Sequence, residues 1–475
     1  MSPLGGTTSK SKHDPRWTLA ASILASSLSF VDGSVLNVAL PAIRASYQAG
    51  AAEVQWVINA YLLPLSALLL LGGALGDHFG RRRLLVAGTF LFGVASLVCA
   101  LAPSLEVLLL ARGAQGIGAA LLLPNSLALL NAAYEGEKRG RAVGIWAAAG
   151  AAAAAVAPLL GGWLVDSVGW PAIFYINLPL AAGAIALALL FVTESRDPGA
   201  GRTDYAGALL ATAGLGGTTY GLTLWSSSGH LGAAAIAAIF GGLLLLFAFV
   251  RVEKARQAKA MMPLALFEDS CFTGLNLVTL LLYGAFGAAM LLVPYVLIEA
   301  GGYSPIEAGL ALLPLPILLT LGSPVMGQLA ERVGPHLPLT IGPMVVAAGM
   351  LLGLLIEAEA NYWTTVLPAM TVMALGMAIA VAPLTSAVLG SVKEKHVAMA
   401  SGFNSAVART GGLVATALLG VVLAKEGANL IPGFHGAMIA SAIVAAAGSA
   451  VAWFSLRSSK SPRPGGRRRG SAPAG

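Results

Sequence analysis

The chain has 475 residues, of which 57% are hydrophobic and 10% charged, with a formal net charge of +7. A water-soluble protein carries about a quarter charged residues, so a fully solvated surface is excluded and the class is integral membrane protein. The positive balance does not indicate nucleic-acid binding, because Lys and Arg lie in short connections and at the two ends, with no basic face interleaved with aromatics.

A helix needs about 20 apolar residues to cross the hydrocarbon core. Lys10, Lys12 and Arg16 precede an apolar run that is too long for a signal peptide and contains Asp32, so it reads as a first span. In chain order, spans are expected at 17–41, 53–75, 83–102, 105–130, 141–164 and 170–192. A pair follows at 204–225 and 230–250. Six more are expected at 272–298, 305–329, 337–356, 362–389, 399–424 and 434–456. With fourteen spans, 24 of the 28 Lys and Arg fall on one side of the membrane. Arg44 and Lys425 fall on the other, and Arg112 and Arg409 lie within spans. Basic residues mark the cytoplasmic face, so both termini are expected in the cytoplasm of a cell that keeps this protein in its inner (plasma) membrane. The alternative is twelve spans, with the seventh and eighth segments as surface hairpins.

Cys99 and Cys271 each sit inside an apolar run, which argues against a disulfide or a metal site. No G-x-x-x-x-G-K-[ST] loop is present, so ATP-driven transport is disfavoured, and no cofactor is implied.

An internal repeat organises the spans. The connection after the second reads GALGDHFGRRR (73–83), and that after the tenth reads GQLAERVGPH (327–336). Both follow G-x-L-small-acid-basic-x-G, at equivalent points of two six-helix sets. The chain therefore parses into a cytoplasmic N-terminus (1–16), an N-terminal six-helix lobe (17–193), an inserted helix pair (194–259), a C-terminal six-helix lobe (260–456) and a basic cytoplasmic tail (457–475). Parallel repeats of this kind are a transporter architecture.

The first repeat resembles the cytoplasmic signature of the major facilitator superfamily. Gly73 and Gly80 permit tight turns, and Asp77 is placed to cap the next helix and to pair with Arg81 and Arg82. The resemblance implies a conformational latch here; His78 departs from the family's usual arginine. Other motifs follow in order: FVDGSVLNVALP (30–41), LLLARGAQGIGAA (108–120), WPAIFYINLPL (170–180) and SGFNSAVARTGG (401–412). Together they resemble the fourteen-span drug:proton antiporters of that superfamily. The antiporter motif in the fifth span keeps Gly144, Pro158, Gly161 and Gly162, but Ala153 and Ala157 replace two glycines. The fold so implied is all-α, with fourteen helices in a 6+2+6 order and two pseudo-symmetric lobes around a central cavity.

Charges inside the membrane are costly and mark function by default. Asp32 is the one acid deep in a span, and Arg112 and Arg409 are the deep bases. At 1.5 Å per residue, Asp32 and Arg112 both fall about 10–14 Å below the outer boundary, so they can pair across a cavity and carry proton coupling. Burial favours the neutral carboxyl and the arginine favours the ionised one, which is the basis of a switch. The structural alternative is a permanent salt bridge. Asn37, Asn59, Gln115, Asn125 and Arg409 are further cavity candidates, although most amides in spans serve interhelical hydrogen bonds. The resemblance implies a monomeric, non-enzymatic exporter whose partners are a small-molecule substrate, protons and the lipid bilayer. The substrates are expected to be amphipathic or lipophilic, neutral or monovalent; the alternative is a single metabolite or self-made antibiotic. A non-transporting membrane sensor or enzyme is a remote third reading.

Overall fold

The computed structural model describes residues 14–196, 204–256, 264–392, 397–425 and 429–458. The expected N-terminus and basic tail lie almost wholly outside these residues. Within them the chain is helical. The first lobe contains α1 (Pro15–Tyr47), α2 (Ala51–Phe79), α3 (Arg81–Ala100), α4 (Leu105–Ala133), α5 (Gly136–Ser167) and α6 (Ala172–Phe191). A pair follows, α7 (Tyr205–Ser228) and α8 (Ala233–Arg256). The last set is α9 (Ser270–Glu299), α10 (Pro305–Val333), α11 (His336–Leu355), α12 (Tyr362–Gly390), α13 (Val397–Leu418) and α14 (Leu430–Ser458).

Among the described residues, twelve of these helices are long and apolar enough to cross a membrane. Fourteen were expected, so the hydropathy count falls short by α7 and α13. Both are long enough, at 24 and 22 residues. Their apolar content is diluted by groups that face protein: Thr219, Thr223 and Ser226 are buried on α7, and Asn404 on α13 bonds to α9. The pair forms two 24-residue helices packed on each other, of which α8 is apolar enough to cross and α7 is not.

The helices run further than the hydropathy windows suggested. α2 extends to Phe79, so most of the motif at 73–83 is helix, and the break is Gly80 alone. Gly80 has φ +116°, a conformation that costs a residue with a side chain. The second repeat behaves alike: α10 runs to Val333 and turns at Gly334, φ +84°. The two similar sequences thus make the same local turn.

In the first lobe α2 and α3 pack on α4, and α1 packs on α5 and α6. In the last set α9 packs on α13 and α14, and α12 on α10 and α11. The close approach of α2 to α4 has a simple cause. A Cβ on Gly72 would stand 2.0 Å from the Ala120 carbonyl oxygen, and one on Gly116 would stand 2.3 Å from that of Tyr61. In a bilayer, where lipid is as apolar as leucine, such contact between backbones is what holds helices together.

The lobes meet at one end of the bundle. There Arg44 on α1 donates to the Tyr295 hydroxyl on α9 at 2.8 Å, and the Ile306 N–H donates to Asp166 at 3.0 Å. Gln55 on α2 donates to the Thr416 carbonyl on α13 at 2.9 Å. All of these residues lie on the opposite end from Gly80 and Gly334.

Gly72→Val is expected to lower stability by about 2–4 kcal/mol, because the α2–α4 contact must open. Gly73→Ala, whose Cβ would meet Pro124 at an ordinary 3.5 Å, is expected to be near neutral. Thermal unfolding of the detergent-solubilised variants checks the order; equal midpoints would contradict it.

Candidate functional site

Two helices bring together the charges that matter. Asp32 sits in the middle of α1 and Arg112 in the first half of α4, and each is 1% exposed. The Arg112 guanidinium donates through Nη1 to Asp32 Oδ2 at 2.6 Å. It also donates through Nε to the Val57 carbonyl on α2 at 3.0 Å, and through Nη1 to Gln115 Oε1 at 2.8 Å. Gln115 in turn donates to Asp32 Oδ1 at 3.3 Å and to the Ser96 hydroxyl on α3 at 2.8 Å. Asn177 on α6 donates to the same Ser96 oxygen at 3.3 Å. The Arg112 guanidinium carbon lies 4.5 Å from the centre of the Tyr61 ring, close enough for cation–π attraction. Five helices of the first lobe thus converge on one ion pair.

This pairs the two predicted residues but corrects the geometry. Asp32 and Arg112 do not face each other across a cavity; they touch inside the packed core of one lobe. A carboxylate and a guanidinium cannot stand apart in so dry a place without a large desolvation cost, so they close on each other. The expected Gln115 is part of the network. Ser96, Asn177, Tyr61 and the Val57 carbonyl were not singled out from sequence. The polar residues among them sit in spans where amides and hydroxyls are common, and a backbone carbonyl leaves no sequence signal.

The other candidates separate. Asn125 is buried between helices, with its amide donating to the Gly72 carbonyl at 2.9 Å and the Leu121 carbonyl at 2.7 Å. It fastens α4 to α2. Asn59 is fully buried one turn beyond Gln55, and Asn37 is half-buried on α1. Neither joins the ion-pair network. Asn404 bonds to Asn276 and Thr279 across α13 and α9, an interhelical lock of the expected kind. Arg409 is half-buried on α13, in electrostatic range of Tyr61.

The turn at Gly80 is built differently from the expectation that Asp77 caps α3. Asp77 pairs with Arg81 at 2.9 Å, both residues half-buried. The cap comes from Glu194, just past α6. Its carboxylate accepts the N–H groups of Arg82 at 3.0 Å and Arg83 at 3.2 Å. Arg82 also donates to the Val192 carbonyl, and Arg81 to Ser195. A Cβ on Gly80 would stand 2.7–2.9 Å from the Glu194 carboxylate. Glycine is therefore required twice, by φ and by space. The tight glycines of α2 are Gly72 and Gly76 rather than Gly73; a Cβ on Gly76 would overlap the Asn125 amide.

The fifth-helix motif is a packing surface. A Cβ on Gly161 would meet Val35 of α1 at 2.3 Å, and one on Gly162 would meet the Pro305 carbonyl of α10 at 2.3 Å. The Pro158 carbonyl lies against Gly309 of α10. Gly144 has open space beside it. Ala157, in place of glycine, is buried without disturbing this seam.

The chain matches the family model of the Major Facilitator Superfamily over residues 22–267 and 275–475. The chain belongs to the major facilitator superfamily. This facilitator is 35% identical over 409 residues to the multidrug resistance protein Stp of Mycobacterium tuberculosis, covering 86% of this chain and 75% of that one. It is 31% identical over 408 residues to the tetracenomycin C resistance and export protein of Streptomyces glaucescens, covering 85% and 74%. It is 33% identical over 397 residues to the methylenomycin A resistance protein of Bacillus subtilis, covering 83% and 84%. In fold it is similar to a crystal structure of the peptide transporter POT in complex with alafosfalin. The TM-score is 0.69 at 14% identity, over 97% of this chain and 98% of that one, a likeness that speaks to the fold alone. Membership makes the facilitator a membrane transporter and not an enzyme.

Two outcomes follow from the geometry of this transporter. Arg112→Met, which strands a buried carboxylate, is expected to cost about 3–5 kcal/mol, and the double variant Asp32→Asn/Arg112→Met to recover at least half of that. Unfolding midpoints of the four proteins check the coupling; additive losses would contradict it. Glu194→Ala is expected to cost about 1–2 kcal/mol as a lost helix cap. Asp77→Ala is expected to cost under about 1 kcal/mol, because its i,i+4 pair is still partly in water. The reverse order would show that Asp77, not Glu194, holds the turn.

Proposed function

We propose that this facilitator exports small amphipathic or lipophilic compounds in exchange for protons, by alternating access between two six-helix lobes. The observation that carries the reading is the buried Asp32–Arg112–Gln115 network, an ionisable carboxylate held in the dry core of the lobe that must move. The names of the similar proteins, which speak of multidrug resistance and of antibiotic resistance and export, support the substrate class.

In this reading the bundle crosses the membrane fourteen times, as six, two and six. α7 and α13 count as spans because each exceeds the roughly 20 residues needed and each packs among spanning neighbours, α7 on α2, α8 and α13, and α13 on α2 and α9. The segregation of Lys and Arg supports cytoplasmic termini, with the Gly80 and Gly334 turns facing the cytoplasm; the protein works as a monomer. The lobe contacts at Arg44, Asp166 and Gln55 then lie on the outer side, and this conformation is closed to the outside.

The coupling cycle uses α1 and α4. With the pair closed, Asp32 is ionised and Arg112 satisfies it. When the lobes rock, α1 and α4 shift with the α5–α10 seam, and the pair loosens. A carboxylate deprived of its arginine in a dry site takes up a proton, and re-forming the pair expels it. The latch at Asp77, Arg81 and Arg82, fixed by Glu194, ties the inner ends of α2 and α3 to α6, so that these helices hold together while α1 shifts against them.

The test is transport in proteoliposomes under an imposed pH gradient, with the neutral dye N-phenyl-1-naphthylamine. Wild type is expected to move the dye uphill. Asp32→Asn is expected to keep dye exchange without a gradient and to lose uphill transport at least about tenfold, within the range of a single removed proton-transfer group. Gradient-driven transport by Asp32→Asn equal to wild type would remove Asp32 from the coupling.

A further inference from the structure

Arg409 is a cation that the first lobe's network does not use. Residues 402, 406, 409, 413 and 416 recur every three or four positions and so share one face of α13. That face meets α2 of the other lobe. A Cβ on Gly402 would lie 3.0 Å from Leu70, Ala406 is buried in a cluster with Tyr61, Leu65 and Leu69, and the Thr416 carbonyl accepts from Gln55. Arg409 sits between these contacts, at the level of Tyr61, whose hydroxyl its charge reaches. The helix cannot simply rotate it away. On the other side of α13, Asn404 donates to Thr279 at 2.7 Å and to Asn276 at 3.1 Å. A Cβ on Gly411 would lie 2.6 Å from the Leu280 carbonyl.

The charge count around Tyr61 does not close. Asp32 is one carboxylate, and both of its oxygens are taken, Oδ2 by Arg112 and Oδ1 by Gln115. Among the described residues, Arg409 has neither an ion pair nor a hydrogen bond. Two guanidiniums and one carboxylate leave one positive charge at mid-bundle depth. An uncompensated charge there is costly and is kept where it faces a pathway. Arg409 is half-buried, so it is held in place and still open on one side. Its planar fork of N–H donors suits an oxyanion better than a single lysine ammonium does.

We propose that Arg409 recognises an anionic group, a carboxylate, phenolate or sulfonate, on the compound this protein transports. The proposal rests on the exporter reading and narrows it from amphipathic compounds in general to amphipathic anions as the preferred class. The anion completes the charge balance at the seam between α2 and α13, where the lobes move against each other. Asp32 handles the proton and Arg409 the anion, so proton and substrate are held by separate groups.

A matched pair of dyes tests this. 1-Anilinonaphthalene-8-sulfonate and N-phenyl-1-naphthylamine differ chiefly by the sulfonate, and both fluoresce on binding. Affinities are measured by titration of the purified full-length protein in nanodiscs. Wild type is expected to prefer the anionic dye. Arg409→Gln is expected to reduce the anionic-to-neutral preference by about tenfold or more, the scale of one lost charge-assisted hydrogen bond. Arg409→Lys is expected to restore part of it. A purely structural role would weaken both dyes alike and leave the ratio unchanged, which would overturn the proposal, as would a wild type without preference. Proteoliposomes separate this from the exporter reading. Uphill movement of the neutral dye but not the anion leaves export standing and sinks the proposal. A ratio that shifts in Arg409→Gln while neither dye moves sustains recognition and sinks export.

Discussion

A charge in a bilayer is costly unless it is paired or faces a pathway, and the pair between Asp32 and Arg112 is the constraint around which the first lobe is arranged. At 2.6 Å, with both groups 1% exposed, it is reached by side chains or carbonyls from α1, α2, α3, α4 and α6. Each of these helices must approach closely for the network to form. That requirement accounts for Gly116 against Tyr61, one turn along from Arg112 and Val57; Gly72 against Ala120 continues the same seam toward Gly80. Packing and electrostatics are therefore one feature. Loosening α2 from α4 would strand Arg112, and removing Arg112 would strand Asp32.

The same economy governs the edges of the lobes. Glu194 returns from the end of α6 to close the α2–α3 turn, so the two chain-distant ends of the lobe are joined by one carboxylate. The fifth-helix glycines let α5 lie on α1 of its own lobe and on α10 of the other. A rocking motion that parts α5 from α10 is thereby transmitted to α1, the helix that carries Asp32. α7 lies against α2 and α13, beside the seam that Arg409 faces, and carries α8 on its far side.

Much of this was legible in the sequence, and the reasons for the misses are instructive. Apolar runs gave helices α1 to α14 nearly in full, because a bilayer leaves the backbone few alternatives. The ends were read short: α2 and α10 continue through charged residues to Gly80 and Gly334, since helix needs no apolar side chains once it leaves the membrane. α7 and α13 fell below the apolar threshold because their polar groups are spent on other helices. Asp32, Arg112 and Gln115 were found because charge and amide groups in a span are conspicuous. Glu194 was missed because an acid in a loop reads as solvated surface, and nothing local says that it folds back more than a hundred residues to cap α3. The cap was assigned to Asp77, which is nearer in sequence but is engaged by Arg81.

The central claim is that Asp32 exchanges a proton as the transported compound binds and leaves. The most direct measurement is proton release on substrate addition, followed with a pH indicator in weakly buffered detergent solution of the purified protein. The account predicts release that saturates with N-phenyl-1-naphthylamine binding in wild type, as binding shifts the open, protonated pair to the closed, ionised one, and that is lost in Asp32→Asn while the dye still binds. Undiminished proton release from Asp32→Asn would contradict it.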